Sequence, residues 1–276
     1  MDKIPFSKMS GSGNDFIIID NREGIVDEDL LKEFIVKVCA RGMSVGADGL
    51  ILIERSEWAN FKWRFFNADG SSAEMCGNGA RCAARFAFLN GIAGRRLTFE
   101  TESGIILAEL TGRRAKVQMP DPTDMIIGQE IDLEGSPVTL SRLRVGVPHV
   151  VMKSGEMDDR TLIETGRKIR FHSDFAPEGA NVNFVRRKPD GAILNRTYER
   201  GVEGETLACG TGSASAALVM AETEGEASPI RVYTKIGTRL TIHFEKTEAG
   251  EYYNLFLEGD ARLIYTGELR KEAWKW

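Results

Sequence analysis

Two cysteines stand in matching glycine-rich settings. Cys76-Gly77-Asn78-Gly79-Ala80-Arg81-Cys82-Ala83-Ala84 is echoed 133 residues later by Cys209-Gly210-Thr211-Gly212-Ser213-Ala214-Ser215-Ala216-Ala217. A Cys-Gly-x-Gly segment opening an alanine-rich helix puts the thiol at the helix N-terminus, where backbone N–H groups lack intrahelical partners and the dipole favours negative charge. That setting lowers a thiol's pKa and makes a thiolate that can act as a base. Inverting an α-carbon without a cofactor needs a base on one face and an acid on the other, which a matched thiolate and thiol supply. It also needs donors aimed at the neighbouring carboxylate as charge moves onto it, and two helix N-termini can provide them. The competing reading of any cysteine is a small buried hydrophobe. That reading is assigned to Cys39, which ends a helical stretch, and to Cys82, whose counterpart in the second segment is Ser215.

The elements that must position the pair repeat with it. At the same offset Gly46-Ala47-Asp48 falls on Gly179-Ala180-Asn181, Thr101 and Gly104 fall on Thr234 and Gly237, and Gly13, Ile17 and Ile18 fall on Gly146, Val150 and Val151. Two copies nearly fill 276 residues, with small insertions expected to shift the later strands. Within a copy the pattern is strand-rich: Phe16–Ile19, Leu50–Ile53, Trp63–Phe66 and Ile105–Ala108 are short β-prone runs. Helical spacing is confined to Leu30–Val38, to Gly79–Leu89 with a stop at Gly91, and to Gly212–Ala221 ending near Gly225. Apolarity around most of the last two helices marks them as buried. The expected fold is therefore α+β: two pseudo-symmetric domains from an internal duplication, each a curved, mostly antiparallel, barrel-like sheet around a central helix. The expected boundaries are 1–120 with a C-terminal tail 263–276 for the copy carrying Cys76, and 121–262 for the copy carrying Cys209. Packed about a pseudo-twofold axis, such copies would face equivalent residues across a cleft, a common place for a ligand.

Composition narrows the partners. A net charge of −5 with interspersed signs offers no basic stripe for nucleic acid and no cationic amphipathic face for a membrane, so a small-molecule substrate is expected. The polar start Met1–Pro5 has no signal-like apolar run, and a cytoplasmic location is expected. Four cysteines in so long a chain make no disulfide framework, and no Cys-x-x-Cys pair offers a metal site. Oligomeric state is open, a homodimer being compatible with all of this.

Several segments resemble the diaminopimelate epimerase family: Phe6–Met9 through Gly13-Asn14-Asp15-Phe16, Asn67-Ala68-Asp69-Gly70 running into Glu74–Cys82, Tyr198-Glu199-Arg200-Gly201, Glu205-Thr206, and Ala208–Gly212. The similarity runs nearly end to end. It implies an enzyme free of metal and pyridoxal phosphate that interconverts L,L- and meso-diaminopimelate in lysine and peptidoglycan precursor synthesis. Cys76 would then serve the L,L form and Cys209 the meso form. The implied substrate pocket comprises Asn14, Asn67, Asn181, Glu199 and Arg200, with backbone donors from Gly77, Asn78, Gly210 and Thr211. A substrate with two ammonium and two carboxylate groups needs such a set: an arginine for a carboxylate, a carboxylate for an ammonium, and amides for either. Taken singly, the asparagines read as turn residues and Glu199-Arg200 as a solvated ion pair. One departure stands out: Gly146-Val147-Pro148-His149 replaces the family's Gly-Asn-Pro-His, removing an amide from the distal end of the substrate. His149 lines the site or is structural on this reading, and His172 and His243 have no role. The rival readings are a racemase of another amino acid such as histidine, a thiol redox protein, or a non-catalytic amino-acid binder.

Overall fold

The computed structural model describes residues 3–72 and 76–276, so Glu74 and Met75 of the motif lie outside the described residues. The chain divides into two compact units, Met1–Val117 with Gly259–Trp276, and Gln118–Glu258. The first unit runs β1 (Lys3–Gly11), β2 (Asn14–Asp20), α1 (Leu31–Cys39), β3 (Gly49–Glu54), β4 (Phe61–Asn67), α2 (Gly77–Leu89), β5 (Arg96–Thr101), β6 (Gly104–Thr111) and β7 (Arg114–Gln118). The second runs β8 (Thr123–Asp132), β9 (Pro137–Val145), β10 (Val147–Lys153), α3 (Asp159–Arg170), β11 (Asn181–Arg187), β12 (Ile193–Glu199), β13 (Gly204–Thr206), α4 (Gly210–Glu224), β14 (Ile230–Tyr233), β15 (Arg239–Lys246) and β16 (Tyr252–Asp260). A last strand, β17 (Arg262–Arg270), returns to the first unit.

Strand pairing repeats as faithfully as the motif. In the first unit β1 and β2 pair antiparallel, β2 and β3 parallel, β3 and β4 antiparallel, β4 and β5 parallel, and β5–β6–β7 antiparallel. The second unit gives the same series for β9–β10, β10–β11, β11–β12, β12–β14, β14–β15 and β15–β16. The C-terminal β17 lies antiparallel to β1 just as β8 does to β9, so each unit is completed by the strand that follows the other copy. Each sheet is mostly antiparallel, with two parallel pairs where a helix crosses over. The offset drifts as insertions accumulate: α2 and α4 begin 133 residues apart at Gly77 and Gly210, whereas β7 and β16 begin 138 apart at Arg114 and Tyr252.

The sheet in each unit wraps a helix. Ala80, Cys82, Ala83, Ala84 and Ala87 of α2 are fully buried, and the helix lies against β1, β2, β3, β6 and β17. In α4 every residue from Gly212 to Ala221 is buried, against strands β8 to β12, β14 and β15. Alanine suits this position twice, as the best helix former and as a side chain small enough for strands to approach closely. Gly225, at φ 70°, ends α4 in the left-handed conformation and its N–H returns to Ala221 O at 3.0 Å. Strands β2 and β3 are covered on both faces. Ile17, Ile19, Leu50 and Leu52 join the cluster of Phe34, Ile35 and Val38 from α1, while Phe16 and Ile51 face Gly79 of α2. Their near-continuous apolar runs follow from that.

Three helices differ from the sequence expectation. α2 and α4 start at Gly77 and Gly210, each two residues before the expected Gly79 and Gly212, the cysteine carbonyls accepting Ala80 N at 2.8 Å and Ser213 N at 3.0 Å. α3 was not expected at all. It is a polar surface helix that buries only Leu162, Gly166 and Ile169, and Gly166 in its middle weakens the helical pattern. That glycine is required by packing, since a Cβ there would lie 2.6 Å from Tyr198 Cβ. The helix is started by Asp158, whose carboxylate accepts from Thr161 N at 2.8 Å.

Candidate active site

Cys76 is the N-cap of α2, in extended conformation at φ −144° and ψ 111°, partly exposed, with its carbonyl accepting Ala80 N at 2.8 Å. The buried Asn78 in the first turn donates its Nδ2 to Asn14 Oδ1 at 2.5 Å, and Asn14 Nδ2 donates to Asp48 Oδ2 at 3.1 Å. Asn14 opens β2, Asp48 precedes β3, and Asn67 closes β4 in register with Gly49. These strand ends share one edge of the sheet. Asn67 is exposed and turns its Nδ2 to Ser71 Oγ at 3.0 Å. Behind the edge, Asp15 is gripped by Lys8 at 2.8 Å and by Arg41, which also pairs with Asp48. Burial raises the Asp15 pKa, but hydrogen bonds from Arg41 and Lys8 outweigh it and hold the carboxyl at about 2.

The second copy builds its site from the same ends. Cys209 is the N-cap of α4 at φ −108° and ψ 116°, buried, with Sγ accepting Gly212 N at 3.3 Å and lying 3.5 Å from Thr211 Oγ1. Val147 opens β10 as Asn14 opens β2, Asn181 opens β11, and Glu199 closes β12 as Asn67 closes β4. The missing amide at Val147 is therefore the repeat partner of Asn14. Asn181 Oδ1 accepts Arg200 N at 2.8 Å, which leaves the amide's Nδ2 to act as donor. The Arg200 guanidinium reaches Glu178 Oε1 at 3.0 Å, and Glu178 is shared with Arg144. Burial pushes Glu199 above the usual carboxylate range, only partly offset by a hydrogen bond from Thr206 Oγ1 at 2.8 Å.

His149 belongs to the scaffold under α4. Its ring is 1% exposed, and Asn183 Nδ2 lies 3.1 Å from its Nδ1. Asn183 also donates to Val150 O at 2.9 Å and accepts from Thr197 Oγ1 at 2.9 Å, so its second N–H points at Nδ1 and the proton sits on Nε2. Burial, aided by the Arg200 charge, lowers the His149 pKa to about 3. An unfolded chain takes up that proton below its ordinary value of 6.5, whereas the folded one does so only near 3. The resulting stability is complete above pH 6.5 and is lost as pH falls toward 3, with a slope of at most about 1.4 kcal/mol per pH unit. His149→Gln is expected to remove this part of the acid slope in urea titrations between those limits. An unchanged slope would mean that the ring is already protonated in the fold.

The structure thus brings Cys76, Gly77, Asn78 and Asn14 together in one unit, with Asn67 on the adjoining strand end, and Cys209, Gly210 and Thr211 together in the other, with Asn181, Glu199 and Arg200 on the neighbouring strand ends. Sequence reasoning missed Arg81, Asp48 and Asn183, which hold the first turns and amides in place. Asn183 was legible only as an asparagine within an apolar run, and Arg81 as a charge in a helix otherwise read as buried. Among the described residues no group of three or more His, Cys, Asp or Glu is placed to hold a metal ion, and no helix is long and apolar enough to cross a membrane.

The doubled unit is a known fold. A PhzF-family phenazine biosynthesis protein from Bacillus anthracis superposes with a TM-score of 0.70 at 15% identity, covering 98% of this chain and 99% of that one. A hydroxyproline epimerase from Agrobacterium vitis gives the same score and identity over 98% and 93%. Sequence comparison goes further. The family model for diaminopimelate epimerase matches twice, over residues 6–124 and 142–264, as a duplicated chain requires. The diaminopimelate epimerases of Aquifex aeolicus and Archaeoglobus fulgidus are 44% and 40% identical, over 97% of this chain in each case and 98% and 97% of those proteins. The chain belongs to the diaminopimelate epimerase family.

Proposed function

We propose that the chain interconverts L,L- and meso-diaminopimelate by a two-base mechanism in which Cys76 and Cys209 are the acid and the base. The observation that supports this best is that both cysteines N-cap the enclosed helix of their own copy. For the L,L form the Cys76 thiolate removes the α-proton while the Cys209 thiol delivers one to the opposite face, and for the meso form the roles reverse. The electron pair left on the α-carbon delocalises into the carboxylate. Its oxygens are met by first-turn N–H groups of Gly77 and Asn78 and of Gly210 and Thr211, which lie where an α-helix has no internal acceptor for them. Asn14, Asn67, Asn181 and Glu199 take the polar groups of the substrate, with the raised Glu199 set against an ammonium.

Arg200 takes the distal carboxylate in this reading, exchanging part of its contact with Glu178 for the ligand. Arg200→Met should then weaken diaminopimelate binding by about 1.5–3 kcal/mol, roughly ten- to a hundredfold in KM, because the lost hydrogen bonds are to a charged group. Val147→Asn should tighten KM modestly by restoring the amide that Asn14 supplies in the first copy. Val147 is also the observation that favours another amino acid as substrate. The two readings part on kcat/KM for L,L-diaminopimelate against L-histidine and L-lysine: a tenfold preference for either monocarboxylate would overturn the substrate while leaving the cysteine pair in place.

A further inference from the structure

Two residues that the sequence singles out, Glu205 and Thr206, have no part in the proposed pocket. They lie on β13, a strand of three residues that pairs antiparallel with β12, with Thr206 opposite Thr197 and Glu205 opposite Tyr198. Successive side chains of a strand point to opposite faces, so these two serve different neighbours. On one face Glu205 meets Arg196 across the diagonal. Arg196 Nε donates to Oε1 and Nη2 to Oε2, each at 2.7 Å, and Lys235 Nζ adds a third bond to Oε2 at 2.7 Å. The Glu205 side chain is 2% exposed, and the two-pronged pairing fixes its place as well as its charge. This clasp holds down a strand whose own ladder is only three residues long.

On the other face Thr206 reaches the half-buried Glu199, two residues beyond Thr197 on β12. Thr206 Oγ1 donates to Glu199 Oε2 at 2.8 Å, and among the described residues this is the one hydrogen bond that the carboxyl accepts. Oε1 has no partner among them and is not sealed from solvent. The charged groups on the surrounding elements are engaged elsewhere: Arg200 with Glu178, Glu203 with Tyr198 and with Arg170 of α3, and Glu205 with its two cations. His149 on β10 is uncharged at neutral pH, Arg167 of α3 lies toward Tyr198, and Cys209 stands at the start of α4. Two influences set the ionisation of Glu199: burial, which raises its pKa, and the Thr206 hydrogen bond, which lowers it.

We infer that Thr206 is a positioning residue for the ammonium group of the substrate: its hydroxyl fixes one oxygen of Glu199 and leaves the other free for the ligand. The inference rests on the reading above in which Glu199 meets an ammonium, and it adds what prepares the carboxylate for that contact. An ionised carboxylate only accepts, so a hydroxyl donated to it favours the charged form that an ammonium needs. Without that donor the carboxyl would take up a proton more readily and would be free to turn, and either change loses the contact. The Arg196–Glu205–Lys235 clasp is what keeps the hydroxyl within reach, because Glu205 and Thr206 are neighbours on one strand.

The test follows the Glu199 carboxyl across pH, without substrate, by the infrared carbonyl band of its protonated form, identified as the band missing from Glu199→Gln. Thr206→Val keeps the shape of the side chain and removes the donor, so the Glu199 midpoint should move to higher pH, whereas Thr206→Ser should leave it in place. In steady-state kinetics Thr206→Val should raise KM for diaminopimelate about tenfold near neutral pH with little change in kcat. The rise in KM should steepen as pH falls, because the variant loses the carboxylate sooner, and Thr206→Ser should restore the parent KM. An unmoved midpoint in Thr206→Val, a moved midpoint with unchanged KM, or a loss confined to kcat would each overturn the inference. If the valine variant fails to fold, Thr206→Ala is read in the same way. A chain that failed to turn over diaminopimelate would still return the infrared midpoints, so failure of the substrate reading and failure of the Thr206–Glu199 contact are told apart.

Discussion

Cys76→Ala and Cys209→Ala are each expected to lower kcat/KM for epimerisation by about 10²–10⁴-fold, in both directions, while leaving the fold unchanged. The size of the effect follows from the chemistry, since a positioned acid or base has no substitute on its own face of the α-carbon. The equal loss in both directions follows from thermodynamics, because no mutation of the catalyst changes the equilibrium between L,L and meso forms. Alanine suits the fold at both places. Neither cysteine lies inside a helix, and both have the extended backbone that any residue adopts at an N-cap. Retention of substantial turnover by either variant, with circular dichroism unchanged, would remove that cysteine from the mechanism.

Gly212→Ala is expected to be nearly as damaging, although it removes no chemical group. A Cβ on Gly212 would lie 2.2 Å from Asn183 Oδ1 and 3.1 Å from Cys209 Sγ. Asn183 cannot yield freely, being held by Thr197 and Val150 and packed beside His149. Overpacking of this kind costs roughly 1–3 kcal/mol of stability, and a displacement of the reacting group by about 1 Å costs about a hundredfold in rate. Gly210→Ala is the comparison. Its Cβ would meet only Leu257 Cδ2 at 3.1 Å, the end of a flexible side chain, so stability should change much less. Thermal unfolding and kcat for the pair check this. A Gly212→Ala enzyme with normal kcat would mean that Cys209 is not held by the contact with Gly212.

Much of this was legible in the residues because a duplication writes its own alignment. The offset between Cys76 and Cys209 also put Gly13 on Gly146, and hence Asn14 on Val147, which is where the structure opens the equivalent strands. The strand runs at Phe16–Ile19 and Leu50–Ile53 were readable because both faces of β2 and β3 are covered, and Gly225 announced the end of α4. What escaped was whatever depends on contacts distant in sequence. Nothing near Arg81 announces that its partners are Ser12 and the carbonyl of Asp260, and the first turns at Gly77-Asn78 and Gly210-Thr211 hold poor helix formers that read as loops. α3 escaped for the opposite reason. It is mostly polar, its buried stripe is only Leu162, Gly166 and Ile169 with a glycine at the centre, and its start signal, Asp158, is a single side chain.

The central claim, that two different groups remove and return the α-proton, is tested most directly by turning over L,L-diaminopimelate in heavy water and analysing both species before equilibrium. With Cys76 as base and Cys209 as acid, the meso product carries deuterium at the inverted α-carbon from the first turnovers, while recovered L,L substrate stays unlabelled. Product formed without deuterium, or substrate labelled as fast as product, would mean that one group does both tasks and would contradict the account.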